Sequence, residues 1–166
     1  VEEGLRRALS RAGEAQEVRA RALEAIGAAD EQWVRQAIIE AYESGEYRMK
    51  VSSVHAMGRS AQERWLPLIA REMSNEEPEL RYEAAIAAGQ LADERMVPHL
   101  VRLIVDPDEE VKEAAIMALG EIGGRQAKQA LITLLDSESE AVREAAREAL
   151  EALEFEEDPL SFRRRF

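Results

Sequence analysis

The chain contains no cysteine. It therefore forms no disulfide and offers neither a thiolate nucleophile nor a zinc–thiolate site. Aromatic residues make up only 5% of the 166 positions while 46% are hydrophobic, so the core has to be built from close helix–helix approaches, with alanine at the contacts. No apolar run reaches the roughly 18 residues of a membrane span and no signal-peptide pattern is present, so no membrane partner is expected. The expected location is the cytoplasm. The chain begins at Val1 without a Met, which leaves room for its being a piece of a longer protein. Positive charge is also short. The formal net charge of −12 argues against binding phosphate backbones through displaced counterions. The deficit is uneven: residues 1–70 carry 10 basic and 11 acidic side chains, residues 71–166 carry 12 and 23.

Histidine is scarce as well. His55 and His99 are the only two, and neither has a second His or a carboxylate at the three- or four-residue spacing that a metal site on one helix needs. No Gly-rich phosphate loop, nucleophile elbow or Ser-His-Asp set is visible, and paired glutamates such as Glu76-Glu77 and Glu109-Glu110 fall at helix starts, where the helix dipole favours them. No catalytic residue, metal ligand or cofactor is expected.

What the chain does contain is a repeat. In Asp106–Leu135, Val111, Ala115, Ala118, Leu119 and Ile122 share one face of a helix, and after Gly123-Gly124 a second stripe follows in Ala127, Leu131, Leu134 and Leu135. One such pair cannot hide both stripes, so neighbouring copies must cover them. Stepping by 31 residues from Val111 gives Val18, Met49, Leu80 and Val142, all apolar. Small residues recur seven places on, at Ala25, Ala56, Ala87, Ala118 and Ala149, and nine on at Gly27, Gly58, Gly89 and Gly120. The second helix repeats through Ile38, Ile69, Leu100 and Leu131 and through Tyr42, Met73, Ile104 and Leu135. Ser44, Asn75, Asp106 and Ser137 lie between copies, and all belong to the residues that cap helix N-termini. The pattern predicts helices over 2–11, 15–28, 31–43, 47–59, 62–74, 78–91, 94–105, 108–122, 125–136 and 139–154.

The 31-residue period, the Val-Arg/Lys step opening each first helix, the Ala-Leu-Gly near its end and the Asp106-Pro107-Asp108 turn together resemble HEAT repeats, most closely the short bacterial type also found in phycobilin lyase subunits. The resemblance spans about residues 14–153 and implies an all-α, right-handed solenoid of about five helix pairs. The repeat region is expected over 1–154, its first helix an atypical N-terminal half-repeat, with a C-terminal tail over 155–166. Leu160 and Phe162 are candidates to cap the last repeat. In that family the basic residue after each reference position, here Arg19, Lys50, Arg81, Lys112 and Arg143, pairs with the inter-repeat turn and is structural. Iron-dependent members carry His-Glu pairs, but here Ala56 and Leu100 follow the two histidines. DNA-glycosylase members need a basic groove that this charge balance does not provide.

The function implied is that of a non-catalytic interaction module or scaffold for a protein partner. The competing reading is an accessory, lyase-like subunit cradling a small molecule or pigment, with Trp33 and Tyr42 stacking on it. The partner-binding residues are sought on the second helices, on the side away from the buried stripe, taken as the concave face. There Trp33 and Glu40, Arg64 and Arg71, Arg95 and Arg102, and Gln126 and Thr133 align seven apart, with His99 at the edge. Four arginines beside a Trp, in an acidic chain, point to an acidic peptide segment held by guanidinium forks. A phosphorylated or nucleic-acid strand is the runner-up.

Overall fold

Each 31-residue copy folds as a pair of helices because its two apolar stripes are cut by residues that end or turn a helix. The computed structural model describes residues 2–10 and 15–157, of which α1 spans Glu2–Ser10, α2 Gln16–Ile26, α3 Gln32–Glu43, α4 Tyr47–Arg59, α5 Leu66–Glu72, α6 Pro78–Leu91, α7 Val97–Leu103, α8 Glu109–Ile122, α9 Gly124–Leu134 and α10 Glu140–Glu157. Among the described residues there is no strand. The last helix runs three residues into the segment expected as a tail, and Leu160 and Phe162 lie outside the described residues. Two second helices open as 3-10 turns, Glu63–Trp65 and Glu94–Met96, before the α-helix proper begins at Leu66 and Val97. Pro67 and Pro98 follow immediately, where a missing N–H costs no intrahelical bond.

The turn between the two helices of a copy uses the left-handed region. Gly123 has φ +65° and Gly124 +77°, while the equivalents 31 and 62 residues earlier, Ala92 and Ala61, hold φ +51°. The residues between copies act differently from the expected caps. Ser44, Asn75, Asp106 and Ser137 each accept a hydrogen bond from the backbone N–H two residues on, at 3.2, 3.0, 3.0 and 3.3 Å. They therefore shape the turn that leads into the helix. Direct capping falls two positions nearer the helix, to Asp108, which accepts from the N–H groups of Glu110 and Val111, and to Ser139, which accepts from that of Val142.

The first helices α2, α4, α6, α8 and α10 pack on one another in series, and α3, α5, α7 and α9 each lie against the first helix of the following copy. Their stripes make one core. Val34, Ile38, Ile69, Leu100, Val111, Leu119 and Leu131 are fully buried. At the two ends the stripes loosen: Val18 is 43% exposed and Leu135 37%. Leu5 and Leu9 of α1 pack against the core from the N-terminal side.

The repeated glycines explain the shape. A Cβ on Gly27 would stand 2.8 Å from the Cα of Ala56, one on Gly58 2.7 Å from that of Ala87, and one on Gly89 3.1 Å from that of Ala118. First helices thus meet backbone to backbone, whereas neighbouring second helices barely touch. In a curved stack the closely spaced layer is the inner one, so the first helices line the concave side. This corrects the sequence expectation, which put the second helices there.

Candidate functional site

All six predicted site residues sit on second helices or their leading turns, and hence on the outer layer. The four arginines are not equivalent. Arg95 is engaged on both sides: its Nη2 lies 2.7 Å from Glu63 and 2.5 Å from Asp93, and its Nε donates to Asp93 at 2.8 Å. The two bonds from its guanidinium to Asp93, with the Arg95 backbone N–H, hold the Asp93 carboxyl down at about 2. Arg71 lies over Tyr42, 5.8 Å from the ring centre, with Nε 3.7 Å from Glu72. Trp33 carries the Arg6 guanidinium on its ring at 5.1 Å and donates its indole N–H to Glu31 at 2.5 Å, so it ties α1 to α3. Arg64 and Arg102 are exposed and, among the described residues, have no ion-pair partner. His99, half-buried, shares α7 with Arg102.

Arg102 borders an open trough of about 720 Å³ between α7 and α9, whose apolar lining comes from Val97, Val101 and Ala130. Gln126 and Thr133 of the predicted ridge lie in it. So does Arg125, which the seven-residue alignment passed over. Its only signal in the sequence was adjacency to Gln126 at the start of the helix.

The inner face has its own electrostatics. Glu17 and Glu24 are met by Arg48 at 3.2 and 3.0 Å, and Ser52 donates to Glu24 at 2.7 Å. His55 Nδ1 lies 3.2 Å from Glu83 of the next copy, which raises the imidazole pKa above its ordinary value against the effect of burial. Glu83 stands on the next first helix, 28 residues from His55, where no spacing along one helix reaches it. Tyr47 donates to Glu79 at 2.9 Å.

A buried polar cluster centres on Glu72. Glu72, fully buried, accepts from the Tyr42 hydroxyl, from Lys50 Nζ at 2.9 Å and from Asn75 Nδ2 at 2.7 Å. Burial raises the Glu72 carboxyl, but these donors outweigh it and hold the pKa below the ordinary value. Burial and the bond to Glu72 push Tyr42 up to about 12. Tyr42 is thus committed to the interior and cannot stack on a pigment. The basic row does tether turns: Arg81 grips Asp106 through two bonds at 2.7 and 2.8 Å and the carbonyls of Asn75 and Glu76 at 2.9 Å. Arg19 reaches Glu46 at 2.7 Å, and Arg143 donates to the carbonyls of Ser137 and Glu138. Lys112 departs from the row, pairing with Glu109 of its own helix.

No group of three His, Cys, Asp or Glu side chains able to hold a metal occurs among the described residues. Nor is any described helix long and apolar enough to cross a membrane.

A family model described as HEAT repeats matches residues 65–151, slightly more than half of the chain. No curated protein matches the sequence. Among solved structures, the chain is similar to one in the complex of CpcE and CpcF of phycocyanin lyase from Nostoc sp. PCC7120, with TM-score 0.70 and 22% identity over 92% of this chain. It spans 65% of that chain's length. It is also similar to a designed armadillo repeat protein in complex with the peptide (KR)4, with TM-score 0.60 and 22% identity over 90% of this chain and 80% of that one. An engineered protein matches with TM-score 0.62 and 23% identity, over 92% and 79%. At these identities the likeness is one of fold, an α-solenoid.

Proposed function

Because this chain belongs to the family of HEAT repeats, we propose that it is a protein-binding scaffold with no catalytic step of its own, and that it takes an acidic segment of its partner along the second-helix side. The observation that carries this reading is the trough between α7 and α9, where Arg102 and Arg125 stand beside the apolar Val97, Val101 and Ala130. Neither guanidinium has a carboxylate partner among the described residues, so both forks remain available for a bidentate grip. The apolar lining accommodates an aliphatic side chain between two acidic ones. Arg64 and Arg71, on the previous second helix, extend the basic ridge; Arg95 is occupied by its own acids and contributes least. Trp33 and His99 stand at its margins.

Solved relatives in fold support a polypeptide partner, since one is part of a two-protein complex and another holds a peptide. The pigment-cradling alternative loses one of its two stacking rings with the burial of Tyr42. A fluorescein-labelled peptide of alternating Glu and Leu is a direct probe. Binding should weaken at least tenfold in an Arg102→Glu/Arg125→Glu variant of unchanged circular dichroism, and change little in Arg95→Glu. Equal binding by the double variant would remove the trough from consideration.

A further inference from the structure

The inner face changes character along the stack. Over α2, α4 and α6 its carboxylates are matched by neighbours, Glu17 and Glu24 by Arg48 and Glu83 by His55. Over α8 and α10 they are not. Glu113, Glu121 and Glu148 have no cationic partner among the described residues, and Glu144 shares only Arg147 of its own helix. These four glutamates border a trough of about 510 Å³ whose floor is Met117 with a row of alanines from α10. Met117 is 56% exposed, a large apolar side chain at the centre of an acidic rim. Burial with no compensating donor raises the Glu121 pKa, the mark of a carboxylate short of a partner.

Nine residues beyond the described helix, Asp158-Pro-Leu-Ser-Phe-Arg-Arg-Arg-Phe166, carry the complementary chemistry: Arg163, Arg164 and Arg165 between Phe162 and Phe166, with Leu160 ahead. We propose that the trough between α8 and α10 is a docking site for this segment of the same chain, its arginines on the four glutamates and its apolar side chains on Met117 and the alanine floor.

Length permits it. The trough follows α10 from Ala152 back to Ala141, about 16 Å at 1.5 Å per helical residue. Residues 160–166, extended, reach about 23 Å, and Asp158-Pro159 supplies a turn sequence for the reversal. Tethering places the segment at an effective concentration in the millimolar range, so a weak intrinsic affinity suffices to fill the site. A basic, aromatic segment of another protein would then bind only by displacing it. This assignment is independent of the outer, arginine-bearing trough.

The test uses the full chain and a labelled peptide of sequence DPLSFRRRF. Wild type should bind the peptide weakly because its own segment competes. An Arg163→Glu/Arg164→Glu/Arg165→Glu variant, whose own segment no longer fits, should bind it at least tenfold more tightly, with affinity falling as salt rises. Adding Glu121→Lys and Glu148→Lys should abolish that binding; Met117→Asp makes the same test through the floor should the charge reversals disturb folding. Equal binding by wild type and the tail variant, or equal binding of a scrambled peptide, would overturn the assignment. So would a dimer on size exclusion that the tail substitutions dissolve, since the occupant would then be a second copy's segment.

Discussion

At the scale of single residues, the buried Glu72 ties three parts of the stack together. It joins Tyr42 of one copy, Lys50 of the next first helix and Asn75 of the following turn. Glu72→Gln keeps the shape and two of the contacts but leaves Lys50 without its counter-charge, which should cost about 2 kcal/mol, less than for a fully buried pair because Lys50 is partly solvated. The folded-state pKa of Glu72 lies below its unfolded value near 4.5. Its contribution is therefore complete above that pH and is lost as pH falls through the folded value. Wild type should lose stability on acidification below about pH 4.5 more steeply than Glu72→Gln does, measured as urea midpoints against pH. At the alkaline end Tyr42 acts in the opposite sense: with its pKa pushed up to about 12, its contribution is complete below about 10 and is lost as pH rises through the folded value. Lys50 and Asn75 were legible in the sequence, as members of the tethering row and of the inter-copy turn, but Tyr42 and Glu72 as a buried pair were not. Tyr42 and Glu72 are 30 residues apart, and Tyr42 fits the apolar stripe so well that its hydroxyl drew no notice.

At the scale of helices, the backbone contact between first helices fixes the stack. A methyl group at Gly58 would meet the Cα of Ala87 at 2.7 Å, whereas at Gly120 it meets the Cβ of Ala149 at 3.0 Å and its Cα at an ordinary 3.4 Å. Gly58→Ala should destabilise by about 1–3 kcal/mol, despite the better helix propensity of alanine, and Gly120→Ala by clearly less. Thermal melts of the two variants, run side by side, measure the difference; equal melting points would show that the helices can part at no cost. The elements themselves were readable from periodicity, because each helix buries one stripe and breaks at a marked turn. The layer order was misread. Periodicity tells which side of a helix is buried but not which of two layers is the tighter, although the glycine register, confined to the first helices, already held that information. The candidate site suffered accordingly. Spacing aligns the arginines along the second helices, but the acids that occupy Arg95 belong to the turns that lead into those helices, and no spacing rule describes their approach.

At the scale of the whole molecule, copies touch only their neighbours, so stability is distributed along the chain. Leu100, fully buried in the third copy, is a good place to cut that coupling. Leu100→Asp should leave α2–α4 and α10 with separate residual protection in amide hydrogen exchange; uniform loss throughout would mean the chain unfolds as one unit. The two layers also differ mechanically. First helices in backbone contact cannot be driven closer, while the second helices have room between them. The stack therefore behaves as a row of levers on a common fulcrum at the inner layer. A segment taken up between α7 and α9, as proposed, would pry the outer arms apart and tighten the arc, and its release would let the arc relax, so that occupancy on the outside would reset the span between the two ends.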